Sequence, residues 1–345
     1  MRADWKSHII KSKSGLTNKS YDLELIELEG NDDADGIVLL IPGYFQNAYS
    51  FDLMPEKNIS VMRYLADKMG LKIFVLHPNG IGKSEYVRKS TIDDIAIDDI
   101  DTAVKFLKKL KKKLFTMGHS NGAIALQAYL GGLDRSGRGN IFDEEVSKLR
   151  QKQFEGIAIS AGNVCMTDTR NLKVYSFARN TGRNLKGIIN HLGWINGEIL
   201  TKVLAPTKFF GKRSIAYSKV WQFLYNRKNV SKDAMKALYD LTIEGTSARS
   251  LVQYIEAINS ECIYSGGGDP YYRGLYNIEL PIIQLTYEVD SLADPTATKR
   301  DNFGRFSSEN KKFFMFPNQG HEDFMMSAIE QENLKEVVKF FDSIK

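Results

Sequence analysis

Apolar and polar positions alternate along this chain with two different periods. Short apolar runs occur at Ile37 to Ile41, Leu71 to Leu76, Leu114 to Met117, Phe154 to Ile159, Pro281 to Tyr287 and Lys312 to Phe316. They are rich in β-branched and aromatic residues and too short for separate helices, so they predict six central strands. Between them lie stretches of helical period, Asn58 to Met69, Asp93 to Lys111, Asn121 to Leu133 and Glu322 to Ile344. In the second stretch, Ile95, Ile97, Ile100, Ala103, Val104, Phe106 and Leu107 form an apolar stripe opposite an Asp- and Lys-rich face. Its acidic start, Asp93, Asp94, Asp98 and Asp99, and its basic end, Lys108 to Lys113, complement the helix dipole, so this charge run needs no functional reading. Strands alternating with crossover helices specify an α/β architecture, a mostly parallel sheet with helices on both faces. Trp5 to Ile10 and Tyr21 to Leu28 predict an antiparallel pair at the sheet edge.

The alternation stops after Gly162, and no strand that would join the sheet recurs before Pro281. Residues 163–280 therefore read as an insertion of 118 residues, a second, helical layer over a core formed by 1–162 and 281–345. Ser265-Gly266-Gly267-Gly268-Asp269-Pro270 reads as its return linker.

With 345 residues, 43% hydrophobic and 26% charged, the chain has an ordinary globular composition, which excludes collagen-like, disordered and disulfide-scaffold classes. Two cysteines, Cys165 and Cys262, make neither a disulfide framework nor a four-cysteine zinc site. Lys6, His8, Lys11 and Lys13 interrupt the first fifteen residues, which thus lack the apolar core of a signal peptide. No apolar run reaches the roughly 18 residues of a spanning helix. The expectation is a cytoplasmic protein, at most peripheral to a membrane.

The net charge of +5 conceals an asymmetry: residues 163–232 hold thirteen basic residues against Asp168 and Glu198, a net +11, leaving −6 elsewhere. Tyr175, Phe177, Trp194, Phe209, Phe210, Tyr217, Trp221, Phe223 and Tyr225 interleave with these cations. The mixture suits a lid with an apolar inner face and a basic outer face that meets an anionic membrane or acidic substrate. It equally suits a lid whose aromatics are its own core and whose cations are solvated. Nucleic acid would also accept such a patch, but no nucleic-acid-binding motif occurs.

Candidate chemistry centres on Leu114 to Ala123, which sets Gly118-His119-Ser120-Asn121-Gly122, a G-x-S-x-G, between a strand and a small-residue helix. That context is the nucleophile elbow: Ser120 sits on a turn so tight that only glycine fits at 118 and 122. The following helix turns its amino end towards the serine, where the Asn121 N–H can stabilise an oxyanion. A serine needs a base. Of five histidines, His8 and His77 precede the elbow, His119 lies on the strained turn and His191 in the insertion. His321 follows the last strand, where a Ser…Asp…His chain order places the base. The orienting carboxylate should follow the strand ending at Tyr287. Glu288, Asp290 and Asp294 compete; Asp290 lies one short turn away, whereas Asp294 before Pro295 looks like a helix cap. The loop Pro42-Gly43-Tyr44-Phe45 should supply the second oxyanion N–H, from Tyr44 or, failing that, Phe45. No HExxH and no compact His/Cys/carboxylate cluster occurs, so neither metal nor cofactor is expected.

These residues resemble the α/β-hydrolase superfamily over roughly residues 20–162 and 281–345. Asn79 to Ser84 looks like its R-G-x-G-x-S loop with Asn79 in place of Arg. Val289 to Pro295 resembles the acid-lipase N-D-L-L-A-D-P segment, whose first Asp is the triad acid, and His321-Glu322-Asp323-Phe324 resembles the H-x-D-F of the same lipases. The resemblance implies hydrolysis of a small-molecule or lipid ester through an acyl-enzyme on Ser120, with Asp290 and His321 completing the triad. An acyltransferase would use the same triad, and a non-catalytic hydrolase-fold protein could use the pocket to bind a lipid or a partner.

Overall fold

A computed structural model describes residues 2–136, 139–166, 186, 189, 191, 193–196, 224–327 and 330–345. Among the described residues, eight strands form one sheet: β1 (Trp5–Lys13), β2 (Ser20–Leu28), β3 (Gly36–Ile41), β4 (Lys72–His77), β5 (Lys113–His119), β8 (Gly156–Ser160), β11 (Ile282–Tyr287) and β12 (Lys311–Phe316). Their spatial order is β1-β2-β4-β3-β5-β8-β11-β12. The first two pair antiparallel with each other, β2 is antiparallel to β4, and all remaining pairs are parallel. The six expected central strands and the antiparallel edge pair are thus all present.

The central strands are apolar on both sides because both faces are covered. In β3, Ile37, Leu39 and Ile41 enter one core and Val38 and Leu40 the other. Phe74 and Leu76 against Ile73 and Val75 repeat the division in β4. The first core is closed by the helical segment from Ile92 to Lys108 and by the helix Asn121–Leu130; the second is closed by Val61–Met69 and Glu330–Asp342. The helix expected from Asn58 starts later. Asn58 takes a left-handed conformation, and Ser60 caps the helix by accepting from the Arg63 N–H.

One expectation about charge is corrected. Asp93, Asp94, Asp98 and Asp99 are buried, not a solvated face. Asp93 and Asp94 lie in the helical turn Ile92–Asp94, and Asp98 and Asp99 in the π-helix Ile95–Ile100 that continues it. Asp99 accepts from the Tyr21 hydroxyl and from the Asn79 N–H and side-chain amide, at 2.8 and 2.9 Å for the latter two. Asp94 and Asp98 pair with Arg135, and Asp93 accepts from Tyr271, Asn140, Gln253 and the Gly266 N–H.

Two further elements escaped the pattern reading, a hairpin of β6 (Leu133–Ser136) with β7 (Gly139–Phe142) and the helix Glu144–Gln151. Both are short and largely polar, so no apolar period marks them. Between β8 and β11 the described residues include the helices Lys232–Ala237 and Ala248–Ser260 and a small ladder of β9 (Trp194–Ile195) on β10 (Thr246–Ser247). Most of the basic stretch 163–232 lies outside the described residues. Cys165 and Cys262, far apart in sequence, face each other in an isolated antiparallel bridge with their sulfurs 3.8 Å apart, both as free thiols.

Candidate active site

The elbow follows from close packing. A Cβ at Gly118 would stand 2.6 Å from the Ala123 Cα, and one at Gly122 would stand 2.3 Å from the Ile41 carbonyl oxygen and 2.5 Å from that of Pro42. Any side chain there would push the helix Asn121–Leu130 off the sheet. Ser120 pays for this approach with φ 50° and ψ −118°, a strained conformation held by its N–H bond to the Ser160 carbonyl, 2.9 Å.

The structure brings Ser120, His321 and Asp290 into one hydrogen-bonded row. His321 Nδ1 lies 2.8 Å from Asp290 Oδ2, and His321 Nε2 lies 2.8 Å from Ser120 Oγ. An ionised carboxylate can only accept, so Nδ1 carries the proton and Nε2 presents its lone pair to the serine hydroxyl. Asp290 is fixed by its other oxygen, which accepts from the Leu292 and Ala293 N–H groups at 2.7 and 2.9 Å. Burial alone would lower the His321 pKa; the Asp290 carboxylate, with Glu322 behind it, outweighs that and raises it above the ordinary imidazole value.

The competing carboxylates lie elsewhere. Asp294 caps the turn Pro295–Ala297 by accepting from the Thr296 and Ala297 N–H groups, and Glu288 accepts from the Asn318 N–H. His8 pairs with Glu27, and His77 sits between Glu24 and the Ala48 N–H. The N–H groups of Tyr44, Phe45 and Asn121 take no partner among the described residues, so the candidate oxyanion donors are all uncommitted. Phe45 adopts a left-handed φ of 67°.

No family model matches the chain, and no curated protein matches it. Solved structures do. An esterase from Thermogutta terrifontis superposes with a TM-score of 0.54 at 13% identity, covering 97% of this chain and 97% of its own. The monoacylglycerol lipase of Paleococcus ferrophilus gives 0.55 at 15%, covering 94% and 99%. A soluble variant of monoglyceride lipase from Saccharomyces cerevisiae, in complex with a substrate analog, gives 0.58 at 14%, covering 99% and 97%. The chain has the α/β-hydrolase fold.

Within this α/β-hydrolase fold the site has a rear wall that no sequence pattern announced. Gln46 accepts from the Gly43 N–H at 3.2 Å and donates to Glu322 Oε2 at 3.0 Å. His119 Nε2 lies 3.6 Å from the same oxygen, just beyond hydrogen-bond length, and His119 Nδ1 lies 3.2 Å from Ser160 Oγ. Ser160 Oγ in turn meets the Tyr287 hydroxyl at 2.7 Å. The chain of contacts therefore runs from the candidate oxyanion loop at Gly43, behind the elbow, to Tyr287 at the end of the strand that precedes Asp290. Tyr254, from the helix Ala248–Ser260, donates to Asn121 Oδ1 at 2.7 Å and packs edge-on against Tyr44, 5.3 Å between centroids. Gln46, His119, Tyr254 and Glu322 become visible only in three dimensions, because each meets its partner across the fold.

The expectation of no compact ligand cluster is also corrected. Donor atoms of His119, His321 and Glu322 lie within 4.8 Å of one another, the one such grouping among the described residues. It was invisible in sequence because His119 and His321 are brought together by folding. Both nitrogens of His321 are already engaged by Asp290 and Ser120, so a cation held there would compete with the serine for the imidazole. Among the described residues, no helix is long and apolar enough to cross a membrane.

Proposed function

We propose that this chain hydrolyses carboxylic esters through an acyl-enzyme on Ser120. The observation that carries this reading is the row Asp290–His321–Ser120 with both bonds at 2.8 Å on an elbow of the required strain. His321 Nε2 takes the Ser120 proton as Oγ attacks the ester carbonyl, and the imidazolium is stabilised by Asp290. The oxyanion is held by the N–H groups of Asn121 and of Tyr44, with Phe45 the alternative donor. His321 then delivers its proton to the leaving alkoxide, and water, activated by the same base, frees the acid. The esterase and monoacylglycerol lipase neighbours favour an ester or lipid substrate. Residues 163–280, inserted between adjacent strands β8 and β11, form a cap over the site in this reading. Its Tyr254 and Ser247 support this by bonding Asn121 and Tyr44. The +11 charge of residues 163–232 supports contact with an anionic lipid surface.

The test is a series of p-nitrophenyl esters from acetate to palmitate, run on the wild type and Ser120→Ala, with fluorophosphonate labelling mapped by peptide mass. Hydrolysis lost in the variant, together with a label on Ser120, is the expected outcome. Ester hydrolysis that survives Ser120→Ala, or a label elsewhere, overturns the reading. Binding to vesicles with and without anionic lipid, at low and high salt, tests the surface contact; binding indifferent to both variables removes it.

A further inference from the structure

Glu322 is buried beside His321, yet no lysine or arginine pairs with it among the described residues. A buried carboxylate without a cation is costly unless it is hydrogen-bonded or neutralised by protonation. Here burial would raise its pKa, but His119, His321 and the Gln46 amide outweigh that and hold it below the ordinary carboxylate value, so it stays ionised. Its charge meets a full positive partner only when an imidazole beside it is protonated. His119, sealed in the core, has its own pKa lowered by burial and stays neutral. His321 is the imidazole that gains a proton during acyl transfer.

We propose that Glu322 is a positioning residue for the reaction at Ser120, a second carboxylate that stabilises the imidazolium of His321 while tying the oxyanion loop to the His321 loop through Gln46. The inference rests on the ester-hydrolase reading and deepens it. Its geometry is the donor cluster within 4.8 Å, the Gln46 bridge at 3.0 Å and the Gly43 N–H held by the same amide at 3.2 Å. The attraction grows as His321 charges, so it is stronger in the transition state than in the resting enzyme, the condition for accelerating the chemical step. The other titratable groups facing this pair do not duplicate the role. Asp290 is committed to Nδ1. Tyr239 and Tyr287 are pushed further from ionisation by burial. Asp323 is occupied by Asn229 and the Asn226 N–H.

Glu322→Gln is the decisive variant, because it keeps shape and an oxygen for the Gln46 amide while deleting the charge. The acid limb of kcat/KM, which reports neutral His321, should move to lower pH by about one unit. kcat should fall about tenfold with KM nearly unchanged. Glu322→Asp, which restores the charge, should return the limb towards its wild-type position. An unmoved limb in Glu322→Gln, or an equal loss at every pH in both variants, overturns the proposal in favour of a purely structural role. The His321 imidazole titration followed by proton NMR reads the same coupling without substrate. A pKa unchanged between wild type and Glu322→Gln would overturn the proposal there, even for a protein that hydrolyses no ester offered. Failure of Ser120 to label in the wild type counts separately, against the hydrolase reading.

Discussion

Replacing Asp290 by Asn isolates the part of the site that depends on one proton. The Asn carbonyl can take over the Leu292 and Ala293 N–H groups now held by Oδ1 at 2.7 and 2.9 Å, so the loop keeps its shape. The amide NH2 then occupies the place of Oδ2, 2.8 Å from His321 Nδ1, and donates where the carboxylate accepted. Nδ1 must become the acceptor, which moves the imidazole proton to Nε2 and points an N–H at Ser120 in place of a lone pair. The imidazolium also loses the carboxylate that stabilises it. Both losses fall on the transition state, and the wrong tautomer in a serine triad costs roughly 10⁴ in kcat, about 5 kcal/mol of activation free energy. Steady-state hydrolysis of the best p-nitrophenyl ester measures it, with circular dichroism showing the fold intact. Asp294→Asn is the control: asparagine caps helices as well as aspartate, so the turn at Pro295–Ala297 and the activity should survive. An Asp290→Asn enzyme within about tenfold of wild type, beside a collapsed Asp294→Asn, would refute the assignment.

Gly122→Ala should be poorly folded, since its Cβ would stand 2.3 Å from a backbone oxygen that cannot swing away, and overpacking costs about 1–3 kcal/mol or more; a urea midpoint equal to wild type would contradict this. Tyr254→Phe leaves Asn121 Oδ1 without its 2.7 Å donor and should lower kcat several-fold, about 1 kcal/mol, with little change in KM; unchanged kcat would separate the helix Ala248–Ser260 from the proposed oxyanion donors. Burial pushes the Asp99 carboxyl up to about 7, against its bonds from Tyr21 and Asn79. The native state therefore keeps a proton that the unfolded chain releases, and stability falls as pH rises from about 4 towards 7. Asp99→Asn should flatten that part of the profile, read as urea midpoints at pH 5 and 8; an unchanged difference between them would refute it. Cys165 and Cys262 occupy a non-hydrogen-bonded register, because the Ile263 and Met166 N–H groups bond to Val164 and Glu261 on either side of them. In that register side chains approach closely. A mild oxidant such as a low-molecular-weight disulfide should therefore take two electrons from the thiols and join them, detected as a linked peptide under non-reducing conditions. Two free thiols after prolonged oxidation would contradict this.

The sequence by itself determined the layered architecture, because that depends on local period and on burial of both sheet faces. The continuous apolar run Ile37 to Ile41 can only be a strand covered on two sides, and the crossover helices that cover it carry their own stripes. It also marked Ser120 as the candidate nucleophile, since the glycines at 118 and 122 record in one dimension a packing demand that acts within a few residues. His321 and Asp290 could be chosen because chain order along a parallel sheet fixes which loops emerge at one edge. Tertiary structure alone decided what the remaining polar residues do. Asp93 to Asp99 looked like a charged surface, because their partners Tyr21, Arg135 and Tyr271 come from distant segments and the π-helix that holds Asp98 and Asp99 has no simple periodic signature. The wall of Gln46, His119 and Glu322 was equally hidden. Hydrogen bonds act across 3 Å of space, whatever their separation along the chain, and only folding sets that distance.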